Sequence, residues 1–231
     1  MDDEVARQLD NPSWFALTGA QSAFSEGAGR ARRYRPDVSV FAATVDDSAD
    51  AWTDLADVVG PGGEVVLNRA GTIVVPSGWA TLGAGSGFQM VLDGEPSVDP
   101  SAQIRTLTED DVDNMTALVA LTEPGPFRPR TFDLGGYVGI VDDGRLLAMA
   151  GRRVAIDTHV EISAVCTDPA YRGQGLGTRL VRAVAAAITA DGDRVFLHAA
   201  AGNTNAIRLY ESIGFRLRRV TDFLSVTVPA T

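Results

Sequence analysis

The 231 residues are 45% hydrophobic and carry a formal net charge of −10. That is enough material for a globular protein with a sizeable core, and no apolar run approaches the ~20 residues needed to cross a bilayer. All 20 basic residues are arginine, which excludes a Walker A loop and a pyridoxal Schiff base, since both need lysine. A single cysteine, Cys166, and two histidines, His159 and His198, exclude an internal disulfide framework and leave a structural zinc site short of ligands.

The acidity is concentrated in the first part, with 15 acidic residues against 6 arginines before Ser101 and 15 against 14 from there on. Such a balance opposes general nucleic-acid binding, which rests on neutralising phosphates. Near a substrate groove it favours cationic amines; a surface that is merely soluble is the competing reading. The amino terminus "MDDEVARQLD" lacks the basic-then-apolar order of an export signal, so a cytoplasmic protein without membrane association is expected.

In chain order, "NPSWFALTGAQSAF" places apolar residues at helical spacing behind an Asn-Pro start, and "SADAWTDLADVVG" is an amphipathic helix closed by Gly60. Short extended runs follow in "EVVLNR", "GTIVVP", "SGWATLG" and "GFQMVL". "LDGEPSVDPSAQ", residues 92–103, is rich in Pro, Asp, Ser and Gly and reads as a linker. It divides a first region, 1–91, from a second, 101–231.

"AQIRTL" then reads as a strand, and "TEDDVDNMTALVALTE" as a helix with Thr108 at the N-cap and Asp111 in the capping-box position. "GYVGIVDDGRLLAMAGRRVA" is two strands around an Asp-Asp-Gly turn. The strand "HVEISAVCT", a glycine loop opening a helix, the strand "RVFLHAA", the helix "TNAIRLYESIG" and the terminal strand "FRLRRVTDFLSVTV" complete the chain. Antiparallel strands followed by helix-connected ones predict an α/β protein with a mixed sheet.

The loop "DPAYRGQGLGTRLV" follows a strand and opens a helix, an arrangement that aims backbone amides and a helix N-terminus at an anion. Arg172 adds a charged donor, while Gly173, Gly175 and Gly177 permit close approach of the backbone. Leu176, Leu180, Val184 and Ile188 recur every four residues and anchor the helix to the sheet. The spacing does not fit the dinucleotide pattern Gly-x-Gly-x-x-Gly, because the sixth place is Thr178 or Leu180. A plain tight turn is the competing reading.

"VCTDPAYRGQGLGTRLV" resembles the acyl-CoA loop of the GNAT superfamily of N-acyltransferases, with Arg172, Gly175 and Gly177 at the pattern positions. "NTNAIRLYESIGF" resembles a later helix of the same family, matching at Asn203, Ala206, Leu209, Tyr210, Gly214 and Phe215. The resemblance covers 101–231. For 1–91 it is looser, and that region reads as a support or substrate lid; a degenerate half of the same fold, without a recognisable acyl-CoA loop, is the alternative.

The resemblance implies an acetyl-CoA-dependent N-acetyltransferase that transfers acetyl directly to a primary amine of unidentified acceptor, without a metal. A non-catalytic acyl-CoA-binding or regulatory module is the alternative, and a homodimer is compatible with the sequence. It assigns acetyl-CoA binding to Val165, Cys166, Thr167, Arg172, Gly173, Gln174, Gly175, Leu176, Gly177, Thr178 and Asn203. The attacking amine must lose a proton. Glu161 is the candidate base, on a strand whose alternation places Glu161, Ser163 and Val165 on one face; a solvated or ion-paired residue is the bland reading. His198 is the rival base, with a packed core histidine as its bland reading. The resemblance makes Tyr210 the acid for the leaving thiolate, against a purely packing role. Alternation turns Cys166 away from Glu161, making it a buried apolar residue. "TEPGPFRPRTFDLGGY", with Phe127, Arg128 and Arg130, is either the acceptor-specificity loop or a plain surface loop.

Overall fold

The computed structural model describes residues 2–97 and 103–230. Its elements are α1 (Asp3–Asp10), α2 (Pro12–Thr18), β1 (Ser25–Glu26), β2 (Ala31–Tyr34), β3 (Phe41–Thr44), α3 (Ala49–Val59), β4 (Glu64–Ala70) and β5 (Ala80–Leu92). There follow β6 (Arg105–Thr106), α4 (Val112–Thr122), β7 (Val138–Asp142), β8 (Arg145–Ile156), β9 (His159–Thr167), α5 (Leu176–Ala190), β10 (Arg194–Ala200), α6 (Thr204–Ser212) and β11 (Phe215–Thr227).

Among the described residues the strands form one mixed sheet in the order β1-β2-β3-β4-β11-β5-β10-β9-β8-β7-β6. Two similar units are visible in it. In each, an antiparallel meander (β1–β3, then β7–β9) is followed by a helix (α3, then α5) and a strand parallel to the last of the meander. β4 then pairs with β11 from the far end of the chain, and β10 pairs with β5 from the first region. The strand immediately before the expected linker is thus an interior strand beside β10. Residues 98–102 of that linker lie outside the described residues.

Local chemistry explains the elements that position the site. Ser48 caps α3, its hydroxyl accepting from Ala51 N–H at 3.3 Å, and Gly60 at φ 85° ends it. The β7–β8 turn has φ 45° at Asp143 and 76° at Gly144, as a type I′ hairpin requires. The Asp111 carboxylate accepts from Thr108 N–H at 2.9 Å, as the capping-box spacing implied. In α5, Leu176, Leu180, Val184 and Ile188 are buried against the sheet together with Val160, Ile162 and Leu197. Fully burying each such side chain contributes roughly 1.5–3 kcal/mol, so the helix and the loop at its start are firmly seated.

Several elements differ from the sequence expectation. "SGWATLG" and "GFQMVL" merge into the single strand β5, because β11 pairs with it along its whole length despite three internal glycines. "GTIVVP" is not a strand; only Gly71 bridges to Thr221, and Pro76 removes a donor. "AQIRTL" contracts to the two residues of β6. Strands β1 to β3, with burial patterns that do not alternate cleanly, were not legible.

Candidate active site

β9 and β10 run parallel and paired from His159↔Arg194 to Ile162↔Leu197. Beyond that register β9 continues to Thr167 and β10 to Ala200 without pairing to each other, so the sheet opens as a wedge. On its β9 side the ladder to β8 goes from Gly151↔Ser163 to Met149↔Cys166. β9 thus carries one extra residue, a bulge centred on Ala164, whose φ is 53°. A left-handed alanine is uncommon, and bulges of this kind re-aim the chain near functional sites. Residues 164 and 165 stand outside the β8 ladder.

The bulge corrects the expected alternation. Val165 packs in the cluster beneath α5, whereas Cys166 joins Met149, Met115 and Leu118 on the α4 side. Glu161, Ser163 and Val165 therefore do not share a face, and Cys166 lies on the face that carries Glu161. Cys166 is buried, and burial pushes its thiol up to about 11, so it is no nucleophile at neutral pH.

At the mouth of the wedge, Asp168 caps a short 3₁₀ turn, Pro169–Tyr171, by accepting from Ala170 N–H at 2.9 Å, and it is ion-paired with Arg145. The chain then passes through Gly173 (φ 81°) and Gly175 (φ 75°) into α5. Among the described residues, the N–H groups of 173–178 donate to no backbone carbonyl in a turn or cap. A Cβ on Gly173 or Gly175 would meet nothing, and one on Gly177 would lie 3.7–4.0 Å from Leu209, Thr167 and Val165. Gly177, Leu209, Thr167 and Val165 thus converge on a narrow strip leading from the loop into the wedge. Arg172 and Gln174 are exposed beside it, Thr178 is half-buried and Leu176 is buried. This set fits the pyrophosphate and pantetheine arm of a coenzyme A thioester, with unpaired amides, a helix N-terminus and one arginine for the phosphates.

The equivalent position in the first unit is different. β3 and β4 also separate beyond Ala42↔Leu67, but the segment before α3 carries Asp46 and Asp47, paired with Arg30 and Arg69. Ser48 already caps that helix. With its cap filled and two carboxylates beside it, that helix start is less suited to an anion than the loop before α5, among the described residues.

Behind the apex of the wedge, on the face opposite α5, lies a buried polar cluster. The Glu161 carboxylate accepts from Arg153 Nε at 2.9 Å and Nη2 at 2.5 Å, and its Oε1 is 2.7 Å from His198 Nδ1. Burial alone would raise this carboxyl; the charge of Arg153 and the contact with His198 outweigh it and hold it well below the usual carboxylate range. With its side chain 1% exposed, Glu161 matches the ion-paired reading rather than an open, unpaired base. His198 is the residue after the last β9–β10 pair, at the apex of the opening. Arg153, Gln89 and Arg218, all part of this cluster, had not been singled out in the sequence; an arginine inside the apolar run "AMAGRRVA", one strand from a lone glutamate, was the available signal.

Tyr210 is 7% exposed in the α5–α6 core, its ring 6.0 Å from that of Phe215. Burial pushes its phenol up to about 12, so it stays protonated at neutral pH. Asn203 caps α6, its carbonyl oxygen accepting from Ala206 N–H at 3.1 Å. The segment with Phe127, Arg128 and Arg130 docks on the first region, where Arg130 N–H donates to Asp37 O at 2.9 Å and Thr131 Oγ1 to Val38 O at 2.7 Å.

An amide-lined loop at a splayed pair of parallel strands agrees with an acyltransferase fold, and the comparisons give that class. Residues 137–224 match the family model described as FR47-like protein. The chain is 32% identical over 138 residues to the N-alpha-acetyltransferase RimI of Mycobacterium tuberculosis, covering 55% of this chain and 83% of that protein. A solved acetyltransferase of the GNAT family from Novosphingobium aromaticivorans aligns with TM-score 0.87 and 39% identity over 94% of this chain and 97% of that one. A GCN5-related N-acetyltransferase from Kribbella flavida shares the fold, with TM-score 0.65 at 16% identity over 95% of each chain. The chain belongs to the GNAT family of N-acetyltransferases.

Proposed function

We propose that this enzyme transfers the acetyl group of acetyl-CoA directly to a primary amine, with an α-amino group as the first acceptor class to test. The observation that carries the donor is the loop of unpaired amides, Arg172 and open glycines at the mouth of the β9/β10 wedge. The name of the mycobacterial relative supports the α-amine, and the net charge of −10 favours a cationic acceptor.

In this reading the pyrophosphate lies on 172–178, the pantetheine arm follows Gly177 and Thr167, and the thioester oxygen meets the peptide units of the Ala164 bulge. Asn203, at the start of α6, borders the same arm. The amine nitrogen attacks the carbonyl carbon and its proton goes to His198 Nε2. The C–S bond then breaks, and Tyr210 protonates the leaving thiolate. Glu161 acts through His198: its carboxylate stabilises the imidazolium as it forms. A carboxylate held this far below its usual range is itself a poor proton acceptor, which favours His198 over Glu161 as the base. Region 1–91 serves as support for this face.

Calorimetric titration with acetyl-CoA, with NAD and ATP as controls, tests the donor site; equal or absent binding of all three refutes it. Turnover of an amine panel by wild type, His198→Gln and Glu161→Gln tests the chemistry. Wild-type turnover in His198→Gln removes that residue as base.

A further inference from the structure

We infer that Gln89 and Arg218, which lie behind the wedge, are positioning residues that act with the Glu161 carboxylate to fix the tautomer of His198. The inference deepens the proposed function, since it rests on His198 being the base. Arg218 Nη1 is 2.7 Å from Gln89 Oε1. A guanidinium only donates, so the Gln89 atom facing it is the oxygen and the amide nitrogen faces the opposite way. That nitrogen donates one hydrogen to Leu9 O at 2.7 Å. Its other hydrogen points to His198 Nε2, 3.3 Å away.

A ring nitrogen that accepts carries no proton, so the single hydrogen of the neutral imidazole sits on Nδ1, 2.7 Å from Glu161 Oε1. The donors run in one direction, Arg218 to Gln89 to His198 to Glu161, and Arg153 closes the far end by donating to the same carboxylate. Each outer member is held in turn. Arg218 is 2.8 Å from Asp10 and donates to Ala6 O at 2.9 Å. The rings of Phe196 and Phe223 stand edge-on to His198 at 5.8 and 5.6 Å and bracket the imidazole.

The result is a lone pair on Nε2, the state a proton acceptor needs, selected from a distance of two residues. The Gln89 contact is the long one of the set. An incoming amine displaces it while Gln89 keeps its shorter bond to Leu9. It follows that the first region has a part in the chemistry: Gln89 on β5 and Leu9 and Asp10 on α1 set the protonation pattern of a residue on β10.

The test is ¹⁵N NMR of protein labelled at the histidine rings. With two histidines in the chain, a His159→Gln background leaves only the His198 ring. The expected spectrum has a protonated-type Nδ1 and a pyridine-type Nε2. Gln89→Glu, which presents only acceptors, should place a proton on Nε2. Arg218→Met, which removes the donor to Gln89 Oε1 and leaves the amide held only by its bond to Leu9 O, should do so in part and serves as the second variant if the first does not fold. An Nε2–H tautomer in the wild type, or an unchanged tautomer in both variants, overturns the inference. The spectrum is independent of turnover, so wild-type activity in His198→Gln would refute the base assignment while leaving the tautomer result standing.

Discussion

Arg153→Met leaves Glu161 as a buried carboxylate without its cation. The Glu161 side chain is 1% exposed and that of Arg153 15%, so water cannot replace the lost partner. Breaking one side of such a buried pair costs about 3–5 kcal/mol. In a chain of this size each kcal/mol lowers the melting temperature by roughly 2–4 °C, giving a fall of ~6–20 °C. The guanidinium also stacks 4.7 Å from the Phe41 ring centroid, but methionine retains most of that packing.

The pH dependence gives the mechanism away. In the wild type the Glu161 carboxyl sits below its unfolded value, so its contribution is complete above the ordinary carboxylate range and is lost as pH falls through the folded value. In Arg153→Met the same carboxyl is raised by burial, and protonation relieves the variant. Urea denaturation at pH 7 and pH 4.5 should therefore show a smaller difference between variant and wild type at the lower pH. Arg153→Met combined with Glu161→Leu removes both charges and should recover most of the loss. An Arg153→Met protein that melts within about 2 °C of wild type, or a gap that widens on acidification, would refute the buried-pair argument.

Four further outcomes are expected. Arg172→Ala should weaken acetyl-CoA binding about ten- to a hundredfold by calorimetry, the value of one charge-assisted hydrogen bond, with unchanged thermal stability because the residue is exposed. Gly177→Val should lower acetyl-CoA affinity without unfolding the protein, since its side chain enters the strip between Leu209, Thr167 and Val165. Tyr210→Phe keeps the packing against Phe215 and should lower kcat while leaving acetyl-CoA affinity in place. His159 is held by burial at about 4, against 6.5 when free; unfolding takes up a proton between those values, so stability should fall as pH drops from 6.5 towards 4, and His159→Gln should flatten that slope.

Helix α5 and its loop were legible because each of their signals is local. Glycines at alternate positions, one arginine and a four-residue apolar repeat lie within one stretch of chain, and the backbone alone converts them into an amide-lined turn and a buried helix face. The Asp143-Gly144 hairpin and the Ser48-to-Gly60 helix were readable for the same reason. β5 was not, because the pairing that straightens a glycine-rich segment is supplied by β11, more than a hundred residues away. The face of Val165 and Cys166 was misread because one bulge residue, Ala164, reverses a period-two pattern.

The sequence by itself therefore determined the class of fold and the glycine loop that opens a buried helix, through propensity and spacing. The tertiary structure decided the electrostatics of the wedge. Glu161 is a paired anion rather than an open base because β8 brings Arg153 and β10 brings His198 to the same buried point, and β5 and β11 bring Gln89 and Arg218 behind it. Charges interact through space in a low-dielectric interior, not along the chain, so which of them meet is fixed only when the strands are laid side by side.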